Sequence, residues 1–587
     1  MSADFHQDRH WSTPRMHSST ARITRPYEWF VPAAIVGLAI AFIVRTIWLM
    51  DRGFDFTDES FYLASARQPT AYDITYGLFG YGLHPLFEIV NGSIAGFRRA
   101  AAFILVILGI IAALIAIGNA KAERWGPTSL QLIAVSAALP FAHYVLWLTT
   151  PSYNWFALAS GLVMVGAMLD LYDPHHALRS AAIAAFAALL LVFTRPQNVI
   201  AYLAIYLLAV VTVVPTFRGK LLQMVRTGGL TIILIGAVAA VSPLRTIIHQ
   251  LHAYIEIFGT SNPTDANLAS KLLEFFRQEG GWIALACVPL LGGLITLHYK
   301  PASGTLRNLL VISGALIVSI VTLVQFWTSN FVDGIGPTAA VFAYVCLALA
   351  SVRREADPRL LVLLGLATLI PLAATFGTSN RIIAQLPFFA CLWGFIGLVA
   401  MSGGSGQGRF GATLAALICL TVTFHGIQSG LSAPYRLPTP VNKQVIPTPL
   451  GWGSELNLDA ITRDFIMTLR NRAGQEGFCQ GDAVIDLSGR LPGAVYAMGG
   501  QMPVFPWIFA GYPFSDHFAR EVLKRVDGSV LTQSWLITSD TPGSFSVPEL
   551  QSYGIDFTAY RLVVDLKHPL FGTSVKLLAP RAIQHQC

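Results

Sequence analysis

Residues 29–69 read WFVPAAIVGLAIAFIVRTIWLMDRGFDFTDESFYLASARQP. Up to Met50 a single charge, Arg45, interrupts the apolar run, and about 20 such residues suffice to cross a bilayer. Directly beyond it, Asp51, Asp55, Asp58 and Glu59 place four acids within nine residues, in a chain of which 12% is charged. The pattern raises two questions: how many such spans the chain has, and what carboxylates do at the lip of the first.

Composition answers the first. Hydrophobic residues make up 54% of the 587 positions and mean hydropathy is +0.57, more apolar surface than a soluble domain of this length hides. About thirteen candidate spans follow, at 29–49, 99–119, 128–148, 154–171, 180–194, 197–214, 227–244, 281–298, 308–327, 336–350, 360–376, 382–401 and 410–427. The fold class is therefore a polytopic α-helical membrane protein. Net charge is +7, and its placement matters more than its size. Lys121 and Arg124, Arg179, Arg218 with Lys220 and Arg226, Lys300 and Arg307, Arg353 with Arg354 and Arg359, and Arg409 fall in alternate loops. The positive-inside rule makes those loops cytoplasmic, together with the tail 1–28, and calls for no nucleic-acid partner. The acidic loop and everything after the last span are then external, as expected of a multi-pass protein of the cytoplasmic (inner) membrane. A polar lead and a long apolar stretch without a small-residue cleavage site make the first span a retained anchor rather than a cleaved signal.

The membrane part, 29–427, carries two substantial external segments, 50–97 and 245–280, the second with amphipathic helical pattern. A Pro-rich connector, 428–454, favours extended backbone. Residues 455–587 read as an external (periplasmic) α/β domain: DAVIDLSG, SWLITSD and YRLVVDL are strand candidates and SDHFAREVLKRV a capped amphipathic helix. The turn SGRLPGAVYAMGG is glycine-rich and could cradle an anion at a helix start, but it matches neither G-x-G-x-x-G nor a P-loop and reads first as an ordinary strand-to-helix turn. Cys287, Cys346, Cys391 and Cys419 lie in spans as small apolar residues. Cys479 and Cys587 lie in the tail, where an oxidising exterior permits a disulfide between them.

Asp58 and Glu59 have a chemical use beyond solvation. A carboxylate in a partly desolvated cleft gains proton affinity and takes a proton from a hydroxyl as that hydroxyl attacks. His84 in the tripeptide HPL, the pair Arg98 and Arg99, and Arg381 in NRIIAQLP are expected on the same face, at the external ends of their spans.

On these residues the sequence resembles the GT-C integral-membrane glycosyltransferases, such as protein O-mannosyltransferases and the aminoarabinose transferases that modify lipopolysaccharide. Asp58-Glu59 in the first external loop, Tyr62 after it, the HPL tripeptide and an arginine heading a late span carry the resemblance. It implies a polyprenyl-phosphate-linked sugar donor, an acceptor that is an envelope glycan, lipid or protein, and inversion at the anomeric carbon. It further implies Asp58 as general base with Glu59 assisting, and His84, Arg381, Arg98 and Arg99 around the donor phosphate. The pattern departs at Pro85, single where the family has two prolines. It also departs in the turn TTPSYNW, which lacks the acid some members use for metal; a divalent cation is therefore allowed but not favoured, and no metal-ligating residues are assigned. Tyr62 and Tyr153 are sugar-stacking candidates. Arg195 and Arg245 at external helix ends suit phosphate, although snorkelling to the interface explains them as well; Asp51 and Asp55 are read as loop solvation or as partners of Arg45 and Arg52. A transporter or lipid-linked-sugar flippase, an envelope polysaccharide polymerase or ligase, and a sensor or scaffold remain as alternatives, although the last leaves the loop acids unexplained.

Overall fold

The computed structural model describes residues 27–581 apart from 76, 120–125, 261–268, 279, 282–315, 317–318, 321–330, 353–356, 379, 403–405 and 513. It is mostly helical, with a C-terminal domain holding small sheets. Among the described residues eight helices are long and apolar enough to cross a membrane. The candidate spans 281–298 and 308–327 lie almost wholly outside the described residues.

Three candidate spans are interrupted, each at a proline; 382–401 passes through the 3-10 turn Leu386–Phe389 at Pro387. Over 128–148 the helix Pro127–Ala138 passes into a 3-10 turn, Leu139–Tyr144, at Pro140; over 360–376 the helix Pro358–Ala367 gives way to Ile370–Ala374 at Pro371. Proline lacks the N–H the helix needs and crowds the preceding turn. At the centre stands the helix Tyr153–Asp170, in which every residue from Asn154 to Asp170 except Val163 is buried. A helix apolar all round belongs in a core.

The elements that matter most are α1 (Tyr27–Trp48), α2 (Asp58–Arg67), α3 (Phe79–Ile89), α4 (Ile94–Asn119) and α5 (Gly406–Ser432). From 245–280, the helix Leu244–Thr260 buries Ile247, Gln250, Ala253 and Ile257 on one face. Gln250 ties it to the first loop, donating to the carbonyls of Pro69 (2.9 Å) and Tyr72 (2.6 Å) and accepting from Tyr81 Oη at 2.8 Å.

After α5 the chain forms β1 (Ile446–Pro449), inside the proline-rich connector, paired antiparallel with β2 (Glu455–Leu458). A four-stranded sheet follows in the order β3 (Val484–Asp486), β4 (Trp535–Ser539), β6 (Ser574–Pro580), β5 (Tyr560–Lys567). The β3–β4 pair is parallel and the other two pairs are antiparallel. Cys479 is disulfide-bonded; Cys587 and Cys287 lie outside the described residues, and Cys346, Cys391 and Cys419 are buried.

The tail is seated on the first loop rather than hanging from it. Gly53 N–H donates to the carbonyl of Asn457 at 3.0 Å and Gly493 N–H to that of Phe56 at 2.8 Å. Gly493 heads the short helix α6 (Pro492–Met498). A Cβ there would meet Phe56 Cα and Ser60 Oγ at 2.5 Å, so α6 approaches α2 this closely only because the position is glycine. Phe56 and Phe61 are buried against Phe465, Phe505, Trp507 and Phe509 of the tail. Each such aromatic contributes about 1.5–3 kcal/mol by burial, so loop and tail share one core.

Candidate active site

The four acids of the first loop have four different environments. Glu59 is buried and its partners are all protein groups. Its Oε1 accepts from Arg98 Nε (2.9 Å) and Nη2 (2.6 Å) and from the Thr150 hydroxyl, while Oε2 accepts from Asp55 N–H at 3.0 Å. Arg98 is 1% exposed and also donates to the carbonyls of Met50 (2.9 Å), Gly53 (2.8 Å) and Arg52 (3.3 Å). One guanidinium thus gathers the whole α1–α2 loop onto α4, and its donors are committed to that task.

Asp55, expected to be solvated, is buried. Its carboxylate accepts from Glu59 N–H (3.1 Å) and from Thr57 Oγ1 (2.9 Å), reciprocating the bond Glu59 makes to Asp55 N–H. This exchange works like a capping box one residue wider than usual and sets where α2 begins. Burial, with the Asp58 charge second, pushes the Asp55 carboxyl up to about 7. Asp51 is a surface partner, 3.3 Å from Arg99 and 3.2 Å from Asn457 Nδ2.

With Asp55 and Glu59 turned inward, Asp58 in the first turn of α2 faces the other way and keeps 19% of its side-chain surface exposed. Its Oδ2 accepts from Tyr435 Oη at 3.1 Å and Arg436 Nη1 at 3.2 Å. Both donors lie in the connector just after α5, and neither was among the residues expected from sequence. Arg436 also reaches Thr57 Oγ1, bonds Tyr512, and lies 4.6 Å over the Tyr435 ring. Its backbone is left-handed, φ 54°, a conformation costly for a side chain other than glycine and concentrated at functional positions.

The domain beyond the membrane supplies a second guanidinium. Arg490 follows β3 in the glycine-rich turn, and its charge faces Arg436, Tyr512 and Tyr435. Its Nε is buried with no hydrogen-bond partner. Gly511 and Gly543, both at positive φ, line it so closely that a Cβ at either would collide with Nη2. Buried Asp486 shapes the turn, accepting from Ser488 N–H (3.0 Å) and Leu491 N–H (2.8 Å); burial pushes its carboxyl up to about 6. Burial and the neighbouring Arg436 lower the proton affinity of Arg490. Arg490 thus faces Arg436, and Arg436 in turn is bonded to Asp58.

One turn further along α2, on the face of Asp58, Tyr62 Oη is 3.5 Å from Tyr153 Oη. Arg195 stacks 4.2 Å over the Tyr153 ring and donates to Asn154 Oδ1 at 3.1 Å, its Nε buried without a partner. The turn TTPSYNW, which lacks an acid, thus serves the site through Thr150, Tyr153 and Asn154. The remaining expected residues stand apart. His84 Nδ1 bonds the Ala66 carbonyl at 2.9 Å, near the far end of α2, about 12 Å along the helix axis from Asp58. Arg99 is held by Asp51 and the Ile47 carbonyl. Arg381 and Arg245 are exposed at the starts of Ile382–Gln385 and Leu244–Thr260, without a recorded bond to a described side chain. Among the described residues, no three His, Cys, Asp or Glu side chains converge to hold a metal ion.

No protein-family model matches the chain, and no curated protein matches it. Among solved structures it is similar to the oligosaccharyltransferase of Archaeoglobus fulgidus, in complex with zinc and sulfate. That likeness has 11% identity and a TM-score of 0.44, covering 87% of this chain and 68% of the other. It is also similar to ArnT from Cupriavidus metallidurans bound to undecaprenyl phosphate, with 11% identity and a TM-score of 0.38, covering 93% and 97%. Both are GT-C glycosyltransferases.

Proposed function

We propose that this chain is a membrane glycosyltransferase that moves a sugar from a polyprenyl-phosphate-linked donor to a hydroxyl of a cell-envelope acceptor on the external face. The arrangement around Asp58 carries this reading. Of the loop acids, Asp55 and Glu59 are buried and Asp51 is paired at the surface, while Asp58 is partly exposed beside Arg436, Tyr435 and Tyr512, with Arg490 facing Arg436.

In the step, the acceptor hydroxyl attacks the anomeric carbon from the face opposite the phosphate. The new C–O bond forms as the anomeric carbon–phosphate oxygen bond breaks, so configuration inverts and polyprenyl phosphate leaves with the bonding pair. Asp58 Oδ2 takes the hydroxyl proton. Arg436 and Arg490 hold the phosphate as its charge grows, because their charge is permanent and their donors form a fork. When Arg436 engages phosphate, its hold on Asp58 relaxes and the carboxylate becomes a better base. Glu59 and Arg98 act as positioning residues, and Tyr62, Tyr153 and Arg195 line the sugar side. No divalent cation is assigned a part.

The test is mass spectrometry of envelope glycans and glycolipids from a deletion strain complemented with wild type or with Asp58→Asn. Wild type is expected to restore a sugar residue that Asp58→Asn does not restore, at equal membrane abundance. Full restoration by Asp58→Asn would remove the base, and an unchanged envelope in the deletion strain would remove the transferase reading.

A further inference from the structure

A groove elsewhere on the connector shares no lining residue with the Asp58 cluster. Where α1 and α5 end on the loop face, they leave a groove of about 330 Å³ roofed by the connector. Arg45, Trp48 and Leu49 come from the first helix and its end, Gln428 and Ser432 from α5, and Asn442 and Lys443 from the connector.

Three features specify an occupant. The charge is one-signed: Arg45 and Lys443 line the groove and no carboxylate does. Both side chains are exposed, and no ion pair to a described residue neutralises either; Arg45 makes one hydrogen bond, to Gln428 Oε1 at 3.1 Å, and lies 5.8 Å over the Phe424 ring. Uncharged polar groups line the same groove, the amides of Gln428 and Asn442 and the hydroxyl of Ser432. Trp48, Leu49 and Leu431 supply apolar lining, and the helix that carries Trp48 (70% exposed) also exposes Val44 (60%) and Leu38 (60%) outside the groove. Positive and amide groups at a helix end, above apolar surface continuous with a membrane span, complement a headgroup phosphate whose acyl chains run down the helix.

We propose that this groove binds an anionic phospholipid, with Arg45 and Lys443 on its phosphate and Trp48 beside its glycerol and upper acyl chains. A free phosphate would leave Trp48 and the apolar wall uncovered. The connector that offers Lys443 also carries Arg436, so an occupied groove holds in place the segment that touches Asp58.

The experiment uses the full chain in nanodiscs of equal parts phosphatidylcholine and phosphatidylglycerol, with retained lipid counted by native mass spectrometry. Wild type is expected to retain phosphatidylglycerol over phosphatidylcholine. Arg45→Gln and Lys443→Gln are each expected to weaken that preference roughly fivefold, the size expected for one interfacial cation. Lys443→Gln alone is decisive where Arg45→Gln fails to insert, because Lys443 is exposed and outside the spans. Equal retention of the two lipids by wild type, or an unchanged preference in Lys443→Gln, would overturn the proposal. So would displacement of the adduct by inorganic phosphate, which would make the groove an anion site, or by polyprenyl phosphate, which would make it a seat for substrate.

Discussion

Arg436 Nη1 lies 3.2 Å from Asp58 Oδ2 across 378 residues of chain. The contact closes the connector onto the first loop and gives the most exposed acid of the α2 start its only guanidinium partner among the described residues. If Arg436 alternates between Asp58 and a donor phosphate, Arg436→Gln should lower kcat/KM for transfer by about 10²-fold or more, the usual scale for losing a charge-assisted contact in a transition state. Steady-state kinetics with a defined donor checks it. Because residue 436 sits at φ 54°, Arg436→Gly should lose transfer equally while thermal stability holds or rises.

Arg490→Ala should raise KM for the donor with little change in the midpoint of unfolding, since its Nε has no protein partner to lose. A variant with wild-type KM would show that the second guanidinium does not touch the substrate.

Arg98 and Asp58 should separate cleanly by assay. Arg98→Ala leaves Glu59 buried without its cation, which costs about 3–5 kcal/mol, so folded yield and thermal midpoint should fall. Asp58→Asn should leave both intact and lose about 10²–10⁴ of the rate.

The Asp55 carboxyl is raised to about 7 in the fold from the usual 3.8. The folded state therefore holds the proton more tightly than the unfolded chain. The stability this contributes is fully present below about pH 4 and is lost as pH rises to about 7. Asp486, raised to about 6, acts in the same direction. Thermal unfolding from pH 4.5 to 7.5 should show wild type losing stability, with a shallower loss in Asp55→Asn and the remainder due to Asp486.

Transfer is expected to survive EDTA, since Arg436 and Arg490 supply the charge that a divalent ion would otherwise bring to a leaving phosphate. Loss of activity on chelation and its return with Mg²⁺ or Mn²⁺ would assign that task to a metal.

Much of the architecture was legible in the chain because the physics behind it is local. A run of apolar residues long enough for a bilayer needs only composition, so the helical class and the spans at α1, α4 and α5 followed from reading along the sequence. The three interrupted spans were less legible because Pro140, Pro371 and Pro387 act through backbone geometry that hydropathy averages away. The tail strands at 484–486, 535–539 and 560–567 fall where short apolar runs end in turn residues.

The site divides along the same line. That acids cluster after the first span is written in residues 51–59, where the sequence put Asp58 and Glu59 forward as a pair and the resemblance alone made Asp58 the base. That Glu59 and Asp55 spend their charge on Arg98, Thr150 and the start of α2 was decided by packing, because a carboxylate's role depends on which donors surround it and how much water remains. No periodicity or motif marks Arg436 in a proline-rich connector, or Arg490 in a turn that read as a strand-to-helix link. Only the fold sets Arg436 on Asp58 and Arg490 facing Arg436, since electrostatic neighbourhood is a property of space and not of order along the chain.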